Sequence, residues 1–136
     1  MPNYVVLKGV AGDLRGRELA LSSRSPCVVG RSRSCNVTLT GDPSVSRQHC
    51  LIEVDHSGAW VQDLGSLNGT HLNGERIGAR PPRLDEATMI QPPRQPLRSG
   101  DELRVCNNVF HIEFHDRLPP FGPFASSGTC LDHLSN

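Results

Sequence analysis

Apolar residues in this chain return at every second position within short runs, and each run stops at a turn-forming residue. Cys50, Ile52 and Val54 share one face while Glu53 points away, and Phe110, Ile112 and Phe114 alternate with Val109, His111 and Glu113. A period of two belongs to a strand half-buried against a core. No long stretch carries the 3.6-residue period of an amphipathic helix. Further strand-like runs are Tyr4 to Leu7, Arg17 to Leu21, Cys27 to Val29, Val37 to Leu39 and Ala59 to Asp63. Many short strands with turn signals between them predict an all-β sandwich of two sheets.

The turns are equally specific. Asn73 and Gly74 separate Thr70 to Leu72 from Glu75 to Ile77, the pattern of a two-residue hairpin with positive φ at both positions. Asp55 to Gly58 closes a longer hairpin. Asn68 and Gly69 follow a stretch that is not strand-like and so shape an exposed loop, a candidate ligand contact. Between Gly78 and Ser99 the alternation stops, and five of the chain's 11 prolines fall there, at 81, 82, 92, 93 and 96. Prolines cannot donate to a ladder, so this stretch is expected to be a long Pro-rich loop with at most a brief strand at Thr88 to Ile90. Gly100 and Asp101 restart the sheet. The expected division is one domain over residues 1–115, with an insertion at 78–99, and a tail or linker over 116–136.

A chain of 136 residues buries one core. Its 14 Lys and Arg balance 14 Asp and Glu, which argues against nucleic acid or an anionic membrane as the main partner. Lys8 is the only lysine, so the cationic chemistry is arginine chemistry, suited by its planar fork to phosphate oxygens. No run reaches membrane-spanning length and no leader pattern opens the chain, so a cytoplasmic location is expected, with a nuclear one open to a eukaryotic chain. The five cysteines form no Cys-x-x-Cys pair, and Cys27 and Cys50 lie inside apolar runs as buried free thiols.

Two clusters remain. Gly30 and Arg31 end an apolar run, and Ser46, Arg47, Gln48 and His49 precede Asp63, Leu64, Gly65, Ser66, Leu67, Asn68, Gly69 and Thr70. Taken singly, these are a surface arginine, turn residues and a partly buried histidine. In order, they place guanidinium, hydroxyl and amide donors at strand ends, where loops can converge on a doubly charged group. A phosphothreonine, with about −1.5 to −2 charge and three acceptor oxygens, asks for such a set.

The combination of Gly-Arg, Ser-Arg-x-His and Ser-x-Asn-Gly-Thr over most of Tyr4 to Phe114 resembles the forkhead-associated (FHA) domain, a reader of phosphothreonine peptides. The resemblance implies a two-sheet sandwich of roughly eleven strands with the site in loops at one end. It implies that Arg31 contacts the phosphate, Ser46 donates its hydroxyl to a phosphate oxygen, Arg47 adds a second cation and Asn68 bonds the peptide backbone. Gly30 would let the strand end turn tightly, His49 would brace the loops from below, and Gly69 and Asn73 would be architectural. Leu67 stands where the family often has threonine and offers apolar surface instead of a phosphate donor. Ser44 occupies the position that helps read the third residue after the phosphothreonine. The family's preference for phosphothreonine over phosphoserine has a physical basis in the extra methyl, which fills a small niche and restricts the rotamer.

The expected function is therefore a phosphopeptide-binding signalling module with no enzymatic activity, no metal and no cofactor. Its expected partner is a phosphothreonine-containing kinase substrate or kinase. The alternative is an FHA-like scaffold for unphosphorylated surfaces, in a regulatory region of a serine/threonine kinase or a secretion-related protein. A hydrolase triad of Ser46, His49 and Asp63 has the right residue types, but no Gly-x-Ser-x-Gly elbow accompanies it, and Ser46 and His49 have no evident reason to meet. His111 and His115 share a strand face at ligand-like spacing and are expected to face solvent.

Overall fold

The computed structural model describes residues 4–22, 26–55, 57–79 and 93–115. Within them the regular elements are strands: β1 (Tyr4–Ala11), β2 (Glu18–Leu21), β3 (Cys27–Gly30), β4 (Val37–Thr38), β5 (Cys50–Asp55), β6 (Gly58–Asp63), β7 (Thr70–Leu72), β8 (Glu75–Gly78), β9 (Gln95–Leu97), β10 (Glu102–Val105) and β11 (Asn108–His115). They form a six-stranded sheet in the order β2-β1-β11-β10-β7-β8 and a five-stranded sheet in the order β4-β3-β5-β6-β9. All pairs are antiparallel except β3 with β4, where Val29 faces Val37 and Gly30 faces Thr38 in parallel register.

The alternating residues meet between the sheets. Val5, Leu7, Leu19, Leu21, Leu103, Phe110 and Ile112 of the first sheet pack on Val29, Ile52, Val61 and Leu97 of the second, all nearly or fully buried. Each such side chain contributes about 1.5–3 kcal/mol by leaving water, so this layer dominates stability. Cys27 and Cys50 are buried within it as expected, and neither is in a disulfide among the described residues.

The two hairpins close as their residues predict. Asn73 and Gly74 have φ of 54° and 85°, the left-handed pair that matches the twist of β7 and β8. In the β5–β6 turn the Asp55 carboxylate accepts from the Ser57 amide at 2.7 Å and the Gly58 amide at 3.1 Å.

One expectation needs correction. The Pro-rich stretch does not stay outside the sheets: β9 lies within it and pairs with β6, setting Pro96 opposite Trp60. A proline is tolerated there because, among the described strands, β9 is the edge of its sheet and the missing donor costs no ladder bond. Neighbouring Arg94 lies over the Trp60 ring, 4.3 Å from its centroid, and reaches Glu53 at 3.4 Å. The brief strand expected at Thr88 to Ile90 and the tail at 116–136 lie outside the described residues.

Candidate functional site

The site is assembled from three loops: 31–36 between the parallel strands, 41–49 before β5, and 64–69 before β7. At the end of β3, Gly30 is buried, and a β-carbon there would collide with the Arg47 carbonyl and stand 2.9 Å from the Cys35 sulfur. Its φ is not positive, so this glycine is required for close approach of two loops and not, as expected, for a tight turn. Through that contact the Arg31 amide donates to the Ser46 carbonyl at 3.0 Å, the Ser32 amide to the Arg47 carbonyl at 3.2 Å, and the Cys35 thiol to the same carbonyl at 3.0 Å.

Arg31 is thereby held beside Ser46. Its Nε donates to the Val45 carbonyl at 3.0 Å, which fixes the plane of an exposed guanidinium and leaves both terminal nitrogens without a protein partner among the described residues. The Ser46 hydroxyl accepts from the Leu67 amide at 2.9 Å, so its own proton is left to donate. Arg31, Ser44, Ser46, Arg47 and Leu67 line one open cleft of about 360 Å³. Asn68 sits at its rim, where its amide nitrogen donates to the Ser44 carbonyl at 2.7 Å. Exposed Leu67 presents its side chain to solvent at 64% exposure, an apolar group beside otherwise polar donors.

Beneath the cleft, His49 is fully buried and ties the loops together. Its Nδ1 accepts from the Ser46 amide at 3.1 Å, so Nε2 carries the proton and donates to the Gly69 carbonyl at 2.8 Å. Burial holds its pKa below the ordinary histidine value, against the opposing pull of the Gly69 carbonyl and Asp63. The ring is neutral, as its bonding requires.

The expected separation of Ser46 from His49 was too strict, because they do meet. They meet through the backbone amide, however, and the hydroxyl is bonded elsewhere. Asp63 completes no triad either: its fully buried carboxylate accepts from the Gly65 amide at 2.8 Å, the Ser66 amide at 2.9 Å, the Ser66 hydroxyl at 2.5 Å and the Thr70 hydroxyl at 2.6 Å. Both imidazole nitrogens and the carboxylate are thus committed to holding loops in place.

Two supports are not predicted as such from the sequence. One is this Asp63, Ser66 and Thr70 knot, in which the Ser66 hydroxyl also accepts from the Gly69 amide at 2.9 Å and closes loop 64–69 on itself. Its signal was present as an aspartate at a strand end followed by Gly and Ser. The other is Asp42, which accepts from the Ser44 amide at 3.1 Å and hydroxyl, from the Asn107 amide at 3.1 Å and from Asn108 Nδ2 at 3.1 Å. The Ser44 hydroxyl and these amides hold the Asp42 carboxyl below the usual carboxylate range despite its burial. Asn107 and Asn108 lie 65 and 66 residues away, and no local pattern announces them.

Gly69, with φ of 87°, carries the carbonyl that His49 reaches. Asn73 lies at the other end of β7, where Nδ2 donates to Asp101 at 3.1 Å and Oδ1 accepts from the Glu102 amide at 2.9 Å, pinning the hairpin to β10. His111 and His115 face Glu102 at 3.8 Å and Glu113 at 3.2 Å. Among the described residues no three His, Cys, Asp or Glu side chains converge as metal ligands, and no helix is long and apolar enough to cross a membrane.

Comparison with known proteins agrees with the geometry. The FHA domain family model matches residues 27–106. Mouse proliferation marker protein Ki-67 is 33% identical over 111 residues, covering 82% of this chain and 3% of the relative. FhaB of Mycobacterium tuberculosis, an FHA domain-containing protein, is 35% identical over 66 residues, covering 48% of this chain and 41% of the relative. The chain thus spans well under two thirds of these relatives' lengths. Among solved structures, an FHA domain of an Arabidopsis thaliana protein superposes with a TM-score of 0.67 at 28% identity, covering 92% of each chain. An FHA domain studied for phosphothreonine-dependent interactions superposes with a TM-score of 0.63 at 27% identity, covering 82% of this chain and 97% of its own. A family match over 80 consecutive positions, on a two-sheet sandwich with the signature residues at one rim, means that the chain belongs to the FHA domain family.

Proposed function

We propose that this domain binds a phosphothreonine-containing segment of a partner protein in the cleft between loops 31–36, 41–49 and 64–69, and that it has no catalytic role. The observation that carries the reading is the junction of Arg31 and Ser46: among the described residues, a guanidinium held by its Nε with unpartnered terminal nitrogens, beside a hydroxyl whose proton is uncommitted. Together they supply charge-assisted donors to a dianion, and Arg47 adds a second cation at the same cleft. The remaining Asn68 amide proton and Oδ1 serve the backbone of the bound segment, while Leu67 and Ser44 meet its neighbouring side chains. Charge-assisted hydrogen bonds contribute roughly 1.5–3 kcal/mol each, and three or four, less the cost of ordering a peptide, correspond to an affinity on the order of micromolar. That suits a reversible signalling contact with a kinase or kinase substrate.

The test is an oriented phosphothreonine peptide library, with Arg31→Ala as control. Selection of phosphorylated sequences by the native domain and their loss in Arg31→Ala is the expected result. Binding that needs no phosphate and survives Arg31→Ala would replace this reading with a scaffold for unphosphorylated surfaces.

A further inference from the structure

The lining of the cleft stops at Leu67, next to Asn68, and the sheet face beyond this loop is basic. Across the outer face of the six-stranded sheet, His71 of β7 stands in register between Arg104 of β10 and Arg76 of β8. Arg104 and Arg76 thus stand on either side of one imidazole, and two guanidinium charges carried on one sheet face are unfavourable without a counter-charge. None is supplied: no hydrogen bond or ion pair among the described residues engages the side chain of Arg76 or Arg104, and the buried His71 Nδ1 has no partner. The acidic groups nearby are otherwise placed. Glu102 reaches His111 at 3.8 Å, Glu113 pairs with Lys8 at 2.9 Å, and Glu75 falls opposite Leu72 and not opposite His71.

The row joins the recognition loop directly. The stem of Arg76 lies against Gly69, with its Cδ 2.8 Å from where a β-carbon would stand. Arg104 precedes Val105, which faces Thr70, and Cys106 donates its thiol to the Ser44 carbonyl at 3.2 Å. A peptide leaving the cleft past Asn68 would therefore meet Arg76 first and then His71 and Arg104. In a chain of formal net charge zero, this concentration is local and not a consequence of overall basicity.

We propose that Arg76, His71 and Arg104 form a second contact surface that receives an acidic segment of the same phosphopeptide, so that the preferred partner carries Asp, Glu or further phosphorylated residues on one side of the phosphothreonine. This rests on the phosphothreonine reading above, and the two can fail separately. The tightening is expected to be on the order of tenfold, since exposed ion pairs are individually weak and only several together become measurable. It should fade as ionic strength rises.

The experiment is calorimetric titration with peptides sharing one phosphothreonine core and bearing an acidic or a neutral flank, placed on either side. The proteins are the native domain, Arg31→Ala, and the double variant Arg76→Met with Arg104→Gln. Methionine keeps an aliphatic stem over Gly69, and a melting curve and retained binding of the neutral-flank peptide report that the loop is intact. The expected result is tighter binding of one acidic-flank peptide, reduced to within about twofold of the neutral one in the double variant. Equal loss for acidic- and neutral-flank peptides, or no acidic preference in the native domain, would overturn the surface and leave the cleft standing. Binding of the acidic peptide without phosphate and unaffected by Arg31→Ala would overturn the cleft reading itself. A double variant that loses anionic vesicle or DNA binding, but no peptide preference, would assign the patch to another class of partner and overturn the proposal.

Discussion

The Ser46 hydroxyl accepts from the Leu67 amide, and the direction of that bond decides what a substitution does. In Ser46→Ala the Leu67 amide turns to water, because Leu67 is exposed, and little stability is lost. The donor to the phosphate disappears altogether. One charge-assisted bond of about 1.5–3 kcal/mol corresponds to roughly a 10- to 150-fold loss of phosphopeptide affinity, with the melting temperature nearly unchanged. Calorimetric titration and a melting curve read the two separately, and unaltered affinity would remove Ser46 from the site. At Gly30 the balance is reversed. Its role is to admit the Arg47 carbonyl, so any side chain there acts on the frame holding Arg31 and Ser46 together. Glycine before arginine was visible in the sequence; the reason for it was not, because the carbonyl it admits comes from a loop 17 residues further on.

Among the elements, the β7–β8 hairpin shows how local chemistry fixes structure at a distance from the site. Asn73 combines a left-handed backbone with two side-chain hydrogen bonds to the start of β10. Asn73→Ala forfeits both bonds and adds left-handed strain, for an expected loss of about 1–3 kcal/mol. Because Asn73 lies at the end of β7 opposite Gly69, phosphopeptide affinity should hold well below the melting temperature. A chemical denaturation curve paired with a titration checks this, and an affinity loss larger than the stability loss would contradict it. Strands such as β5 and β11, and this turn, were legible because their determinants are neighbours in sequence. β9 was not, since a proline-bearing edge strand has no alternation to read and exists only because β6 offers it a partner. The loops stand between these cases. Arg31, Ser46 and Asn68 were identifiable by order and spacing, whereas the Asp42 tether to Asn107 and Asn108 depends on a contact across 65 residues that no local pattern encodes.

Over the whole molecule, the buried titratable groups set the pH range in which site and fold persist together. His49 is held neutral by burial, so its folded pKa lies below the ordinary value of 6.5. Above pH 6.5 both folded and unfolded chains carry it neutral, and the native state keeps its full advantage. As pH falls below 6.5 the unfolded chain takes up a proton that the folded one refuses, and stability declines toward the lower folded pKa. Asp42, lowered from 3.8 chiefly by the Ser44 hydroxyl, adds a second loss beginning near pH 3.8, where the unfolded carboxylate protonates first. On the alkaline side the burial of Cys50 and Cys35 raises both thiols above their usual 9.0, and burial likewise raises Tyr4 above 10.0. There the unfolded chain loses protons first, so stability falls as pH rises past 9. The expected melting profile of the free domain is a plateau between about pH 6.5 and 9, with acid loss starting at the histidine step and not at the carboxylate step. The measurement is a melting temperature against pH, together with the ring-proton shift of His49 by NMR. A His49 that titrates at 6.5 or above in the folded domain would mean that its Nδ1 does not hold the Ser46 amide. The acid limb would then begin only with the carboxylates, and the bracing of the cleft from below would lose its physical basis.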